Sequence, residues 1–524
     1  MNKNQSRIIA LVSLAIFVMA FLLSNRLFFR LDLTRDKAYT ISEISRNLHR
    51  EISDQVRITY FVSDRLSLAH PLPGEIADLL REYAAHSRGR IRFIQRDPMK
   101  AELLGEVEAL GIVPQQIRVV ERNESIVAQV FTGILIEYLD RQDVIPVVFS
   151  LDTLEYDLTS RIRALVRNTE RDLGIIVGDG HVQWNSEYGL LHRELALAGF
   201  NLRFINPGEE IPPVLPALFV LGGAEDLDPA QLALIDRYVQ GGGNVLFALD
   251  GVFVNTYGSL EAHPVDDQGL LAMLANYGVI VHRNLVLDMA ALNLTFQTHV
   301  GNTTTIRTVR YPLWISVQEH AANTEHPLTA RFRGLDMYWA SPLELVPPPG
   351  IDAEVLFTTT DAAWLQTETF ITNPTMAFHF EDEADMTRGR QVLGVSLSGV
   401  FPGAFAEQEA PVQGRPSRLI VVGNTAFAGQ MMQNSRAEAR NLDFLLRSAE
   451  WLSSDDDLIS IRSRETSAGR LDRITNREER DAAMALSRSI NTIVVPLAVV
   501  LAGLAVILKR RSKTVKEKGR ADDI

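Results

Sequence analysis

Residues 173–185 read LGIIVGDGHVQWN. The run 173–177 is apolar, short and bounded by turn residues, which suits a strand buried on both faces of a sheet. Gly178, Asp179 and Gly180 break the run, and a helical pattern follows to about residue 198. A strand, a glycine turn and a helix in succession make the βα unit of a parallel sheet. The unit recurs downstream. Residues 201–205 read as the next strand, and 217–221 as an apolar strand ending in Gly222 and Gly223. Asp228 is placed to cap a helix whose first residue is Pro229; it runs to Val239 and stops at Gly241. Residues 244–248 are a further strand, closed by Asp250 and Gly251. Strands at 391–397 and 418–422 follow later, and helices are expected at 425–432 and 440–452. The spacing predicts an α/β fold with a doubly wound parallel sheet over residues 151–454. A helix at 155–167 opens it, and an insertion of mixed strands at about 252–390 interrupts it.

Upstream, residues 56–150 read as a smaller α/β domain. A strand at 56–62 precedes a helix that Pro73 and Gly74 open, with Ile76, Leu79, Leu80 and Tyr83 on one face. A strand at 90–94 follows, and then a hairpin pairing 116–121 with 127–139. The order βαβ…ββ is that of a thioredoxin-like unit. The chain has no cysteine, so such a unit serves only as a scaffold. Residues 30–55 form a collar whose helix starts at the N-cap Ser42 and runs to about Ile52. Residues 455–489 are a charged connector.

The two ends of the chain are apolar. Residues 490–508, INTIVVPLAVVLAGLAVIL, carry no charge and are followed at once by Lys509, Arg510 and Arg511. A helix of that length spans about 28 Å, the thickness of a bilayer core. Residues 8–23, IIALVSLAIFVMAFLL, form a second run, which extends to about 29 and lacks a small-residue cleavage site, so it reads as an uncleaved anchor. The basic tail at 509–524 places the C-terminus in the cytoplasm. The expectation is a two-pass inner-membrane protein with both termini cytoplasmic, helices at 1–29 and 490–508, and the body on the periplasmic side.

Composition narrows the function. The net charge of −13 leaves no basic stripe for nucleic acid. The absence of cysteine excludes thiol nucleophiles, disulfides and thiolate metal sites. No phosphate-binding GxGxxG or GxxxxGK[ST] motif is present, and no GxSxG elbow. No cofactor is expected. Asp179, His181, Trp184 and Asn185 are the candidate ligand-binding residues, because they follow the first strand of the parallel sheet, where such sheets bind ligands. The start of the next helix offers dipole and N–H groups to an anion there. A metal site combining His181 with His192 and Glu194 is disfavoured, since the last two are two apart on a helix and diverge.

Several stretches resemble one family. They are Leu31-Asp-Leu-Thr34 with Tyr39-Thr-Ile-Ser42, Thr59-Tyr-Phe-Val-Ser63, Asp97-Pro98, the loop from Gly178 to His181, the helix end at Gly241, Ser460-Ile-Arg-Ser-Arg464, and the proline-containing last helix with its Lys-Arg-Arg end. The chain resembles the GldG family of auxiliary or substrate-binding-like subunits of ABC transporters linked to gliding motility. Val182 departs from that pattern, standing where an acidic residue is common. The resemblance implies a non-enzymatic subunit with an ABC permease and an ABC ATPase as separate chains. It also implies a glutamine-amidotransferase-like second domain, whose catalytic cysteine this chain lacks. Two other readings of the residues stay open: a membrane-tethered enzyme acting on envelope glycans or peptides, and a structural or assembly protein.

Overall fold

The structure, a computed structural model, describes residues 41–453 except 101–102, 122–123, 150, 152–153, 168–170, 181, 257–259, 301–302, 331, 380–387, 406–413 and 435–437. The two apolar runs, the start of the collar and the connector lie outside the described residues. Among the described residues no helix is long and apolar enough to cross a membrane. The described residues lie in one compact unit and build two lobes.

The small lobe opens with α1 (Glu43–Leu48), whose N-cap Ser42 accepts from the Ser45 amide. Next come β1 (Val56–Val62), α2 (Leu72–His86) and β2 (Ile91–Arg96). β3 (Gln115–Glu121) and β4 (Glu124–Val130) form a hairpin apart from the main sheet, and β5 (Thr132–Tyr138) and β6 (Arg141–Ile145) complete the lobe's strands. The sheet order is β2-β1-β5-β6, with β1 parallel to β2 and the other pairings antiparallel. The run 127–139, expected as one strand, is two. It breaks at the buried Phe131, whose amide donates to Ser63 Oγ at 2.9 Å, so that its halves pair with different partners.

Helix α3 (Leu154–Arg167) belongs to this lobe, although the sequence placed it in the second domain. Its Leu154, Leu158 and Ile162 enter the same core as Ile41, Leu48, Val56 and Leu80. A chain of buried hydroxyls fastens it. Ser45 Oγ lies 2.9 Å from Thr159 Oγ1 and donates to Glu155 Oε1 at 2.6 Å, and Tyr83 OH lies 2.6 Å from Thr159 Oγ1.

The large lobe is built on β7 (Asp172–Val177), β8 (Asn201–Phe204), β9 (Ala217–Leu221), β10 (Asn244–Ala248) and, far along the chain, β11 (Val392–Gly399) and β12 (Ser417–Val422). Neighbouring strands run in the order β12-β10-β9-β7-β8, all parallel. Their side chains alternate cleanly between two cores, as the period of a strand requires. Ile175, Phe219, Leu246 and Ile420 face one core, which helices Gly189–Leu197 and Glu438–Ser453 cover. Ile176, Val220, Phe247 and Val421 face the other, under helices Pro229–Gln240 and Leu270–Tyr277. The Asp228–Pro229 start carries a full capping box with Gln231.

The insertion is not a separate body. Its strands Val279–Val281, Leu343–Leu345 and Ile351–Thr358 extend the sheet to nine strands, antiparallel beyond β12 through β11. The remainder forms hairpins and a three-stranded sheet around Tyr311, Trp314 and Trp364. The helix expected at 425–432 is instead a set of turns ending in a short 3-10 helix, Gln430–Asn434. Asn424 Oδ1 accepts from the Phe427 amide as an N-cap would, but the backbone bonds that follow span only three residues, from the Ala428 amide to Thr425 O at 3.1 Å and from Gly429 to Ala426 O at 3.2 Å, so turns form in place of an α-helix.

Candidate functional site

The strand order reverses between β7 and β9: the chain leaves β7 toward β8 on one side and returns to place β9 on the other. Helices after the two strands therefore pack on opposite faces, and a crevice opens at the strands' carboxyl ends. The ladder bonds continue just past the strands. The Gly178 amide donates to Leu221 O at 2.8 Å, Gly222 to Ala248 O at 2.8 Å, and Leu249 to Val422 O at 3.1 Å. Two residues beyond the end of each strand stand Asp179, Gly223, Asp250 and Asn424 in turn.

The loops after β7 and β9 cross at van der Waals contact. A Cβ on Gly178 would lie 2.5 Å from Gly223 Cα and 2.7 Å from Gly222 O. Gly222 and Gly223 adopt φ of 74° and 103°, where side chains are disfavoured. The crossing is held by reciprocal bonds. The Gly223 amide donates to Asp179 Oδ1 at 2.7 Å, and the Gly180 amide donates to Asp226 Oδ2 at 2.6 Å.

The result is a cleft of about 300 Å³. Asp179, Glu187, Glu225, Asp226 and Asp250 contribute carboxylates to its lining, and Tyr188, Phe253, Tyr338 and Trp339 contribute aromatic surface. The acids also hold the surrounding chain. Glu187 Oε1 accepts from the Gln430 amide at 3.0 Å, Glu225 Oε1 from Asp266 at 3.0 Å, and Asp250 Oδ1 from both the Thr425 amide and Asn424 Nδ2 at 3.0 Å. Burial pushes the Asp250 carboxyl above its ordinary value, against the bonds from Thr425 and Asn424. Asn424 also clamps Tyr338 from both sides, donating to its carbonyl at 2.6 Å and accepting from its amide at 3.1 Å. The next residue, Trp339, is forced to φ 58°, an outlier for a bulky side chain. Its amide bond to Leu313 O and its indole bond to Tyr311 OH hold it there.

Of the residues chosen from sequence, Asp179 lines the cleft. Trp184 turns into an aromatic cluster outside the lining: its indole N–H donates to His192 Nδ1 at 3.1 Å and its ring lies 4.9 Å from that of Phe204. Asn185 is exposed on the helix Trp184–Glu187, and His181 lies outside the described residues. That helix has only four residues, too short to present the N-terminal anion site expected there. Glu187, Glu225, Asp226, Asp250 and Asn424 escaped the sequence reading. The signal for two of them was positional, since Asp250 and Asn424 repeat the place of Asp179 after a strand.

Among the described residues the cleft lining holds no Ser, His, Lys or Arg, and no group of three His, Asp or Glu is placed to hold a metal ion. What the arrangement supplies is an array of acceptors against aromatic surface.

Residues 170–448 match the family described as ABC-type uncharacterized transport system, and residues 35–137 match Domain of unknown function (DUF7088). An uncharacterized protein of Borreliella burgdorferi is 24% identical over 97% of this chain and 99% of its own length. Among solved structures, a ThuA-like protein from Parabacteroides merdae is 12% identical, covering 55% of this chain and 91% of its own, with a TM-score of 0.28. The exo-β-1,4-mannosidase of Opitutaceae bacterium strain TAV5 is 8% identical, covering 72% of this chain and 49% of its own, with a TM-score of 0.24. At such scores neither structure bears on fold or activity.

Proposed function

The chain belongs to the ABC-type uncharacterized transport system family, whose match spans more than half of it, and on that premise we propose that it is a non-enzymatic auxiliary subunit of an ABC transporter complex. The body binds a substrate or partner in the cleft at the strand ends of the large lobe. The small lobe is a thioredoxin-like scaffold, and the large lobe is an amidotransferase-like sheet without its catalytic chemistry. The apolar runs at 8–23 and 490–508 anchor the chain in the inner membrane with the body outside the cytoplasm. The ATPase and the permease are separate chains, and the last helix docks on the permease. Within the family, the GldG branch is the one whose motifs the chain shares.

One observation carries this reading: the family match covers the lobe that contains the cleft. The chemistry of the cleft agrees with a binding role. Its acids each accept a bond from a backbone amide, and its described lining holds no Ser, His, Lys or Arg. Purification of the full chain in mild detergent is the test. An ABC ATPase and a permease are expected in the eluate, and recovery of neither overturns the proposal.

A further inference from the structure

The charge of the cleft narrows what it binds. Five carboxylates line about 300 Å³, a volume at the small end of ligand pockets. Backbone amides satisfy the geometry of these oxygens but bring no net charge. Among the described residues no Lys, Arg or His lines the cleft, and His263, 3.9 Å from Glu225, stands outside the lining. One sign of charge against low-dielectric walls focuses the field and concentrates ions of the opposite sign. The aromatic side chains Phe253, Tyr338 and Trp339 add ring faces, which attract cations through their quadrupoles.

A neutral ligand would strip water from these acids without supplying a counter-charge, which is costly, and an anion would be repelled. A metal ion needs several ligands converging on one point, and no such group exists among the described residues. A molecule that spreads its positive charge over a larger volume fits the spacing better.

We propose that the cleft takes a small organic cation, an ammonium or guanidinium compound, with Glu187 and Asp226 as the principal counter-charges and the aromatic surface against its carbon skeleton. The proposal rests on the reading of the cleft as the binding site of a transporter subunit.

Titration calorimetry on the full-length chain in mild detergent tests it. The probes are agmatine and choline as cations, erythritol as a neutral polyol and succinate as an anion. Saturable binding of at least one cation is expected, with none of erythritol or succinate. Glu187→Gln and Asp226→Asn keep an acceptor oxygen for the Gln430 and Gly180 amides while removing the charge. Each is expected to weaken cation binding by about tenfold, with tryptophan fluorescence confirming a folded large lobe. Failure of both cations to bind the unmodified chain, preference for erythritol or succinate, or cation binding unchanged in both folded variants overturns the proposal. Co-purification of ATPase and permease with the unmodified chain separates the two claims. Transporter subunits recovered without cation binding defeat this inference alone. Cation binding without those subunits defeats the transporter reading alone.

Discussion

The two lobes use buried polarity in opposite ways. In the small lobe Ser45, Thr159, Tyr83 and Glu155 close on one another inside the core, and the polar groups join one helix to the next. In the large lobe the polar groups stand where strands end. Asp179, Asp250 and Asn424 bind loop amides around a cleft. The first arrangement is complete in itself, whereas the second surrounds space. Hydrogen-bonded polarity in a core therefore marks a scaffold, and the same groups at a topological switch point mark a site.

All five tryptophans (184, 314, 339, 364 and 451) lie in the large lobe, so indole fluorescence reports that lobe alone while far-ultraviolet circular dichroism reports both. The largest effect is expected where the lobes join. Arg161 is buried, paired with Asp143 at 2.7 Å, and donates to Ala198 O at 2.8 Å across the boundary. Arg161→Ala should cost about 3–5 kcal/mol and separate the fluorescence and dichroism transitions in urea. If the two remain coincident, the joint is not what couples the lobes. Gly178→Ala forces a Cβ into the backbone of Gly223 and should lower the fluorescence midpoint by about 3 kcal/mol. An unchanged midpoint would mean that the crossing relaxes freely.

A pH series treats both lobes alike. His49 and His326 sit one in each lobe, and burial lowers each to about 4 from 6.5. For His49 the nearby His86 and Arg90 lower it further. The unfolded chain then binds protons that the fold refuses, so their stabilising neutral state is intact above about pH 6.5 and stability is lost as pH falls toward 4, by on the order of 2–3 kcal/mol for each group. His326→Gln should flatten the slope of the large-lobe transition between those values, and an unaltered slope would place the proton uptake elsewhere. Tyr83→Phe removes one member of the hydroxyl chain and should cost about 1 kcal/mol, seen in dichroism before fluorescence. Asn185→Ala, on an exposed turn, should stay within about 0.5 kcal/mol and leave both transitions unchanged.

Three of the parallel strands were legible because each is a short apolar run closed by glycine, at 173–178, 217–222 and 418–423. The capped helix starts at Ser42 and Asp228 were legible for the same local reason. Misreadings fell where a distant partner decided the outcome. Helix α3 joins the small lobe through Thr159 and Ser45, which are 114 positions apart. The turn after β12 follows Asn424, whose partners include Tyr338 and Asp250, far from it in the chain. The candidate residues chosen from sequence all follow one strand, whereas the cleft gathers acids from several loops. Acids after β9 and β10 join Asp179 only once those strands lie side by side, and Trp184 faces away because Phe204 and His192 offer it an aromatic surface.

The amides of Gly180, Gly223, Thr425 and Gln430 are among the donors that the cleft acids hold. Hydrogen exchange of the full-length chain, read on peptides covering 178–187, 222–228 and 423–431 with and without agmatine or choline, tests most directly whether this cleft is the functional centre. Added protection confined to these three segments is the expected result. Protection that appears only in the small lobe, or in no segment at all, would contradict it.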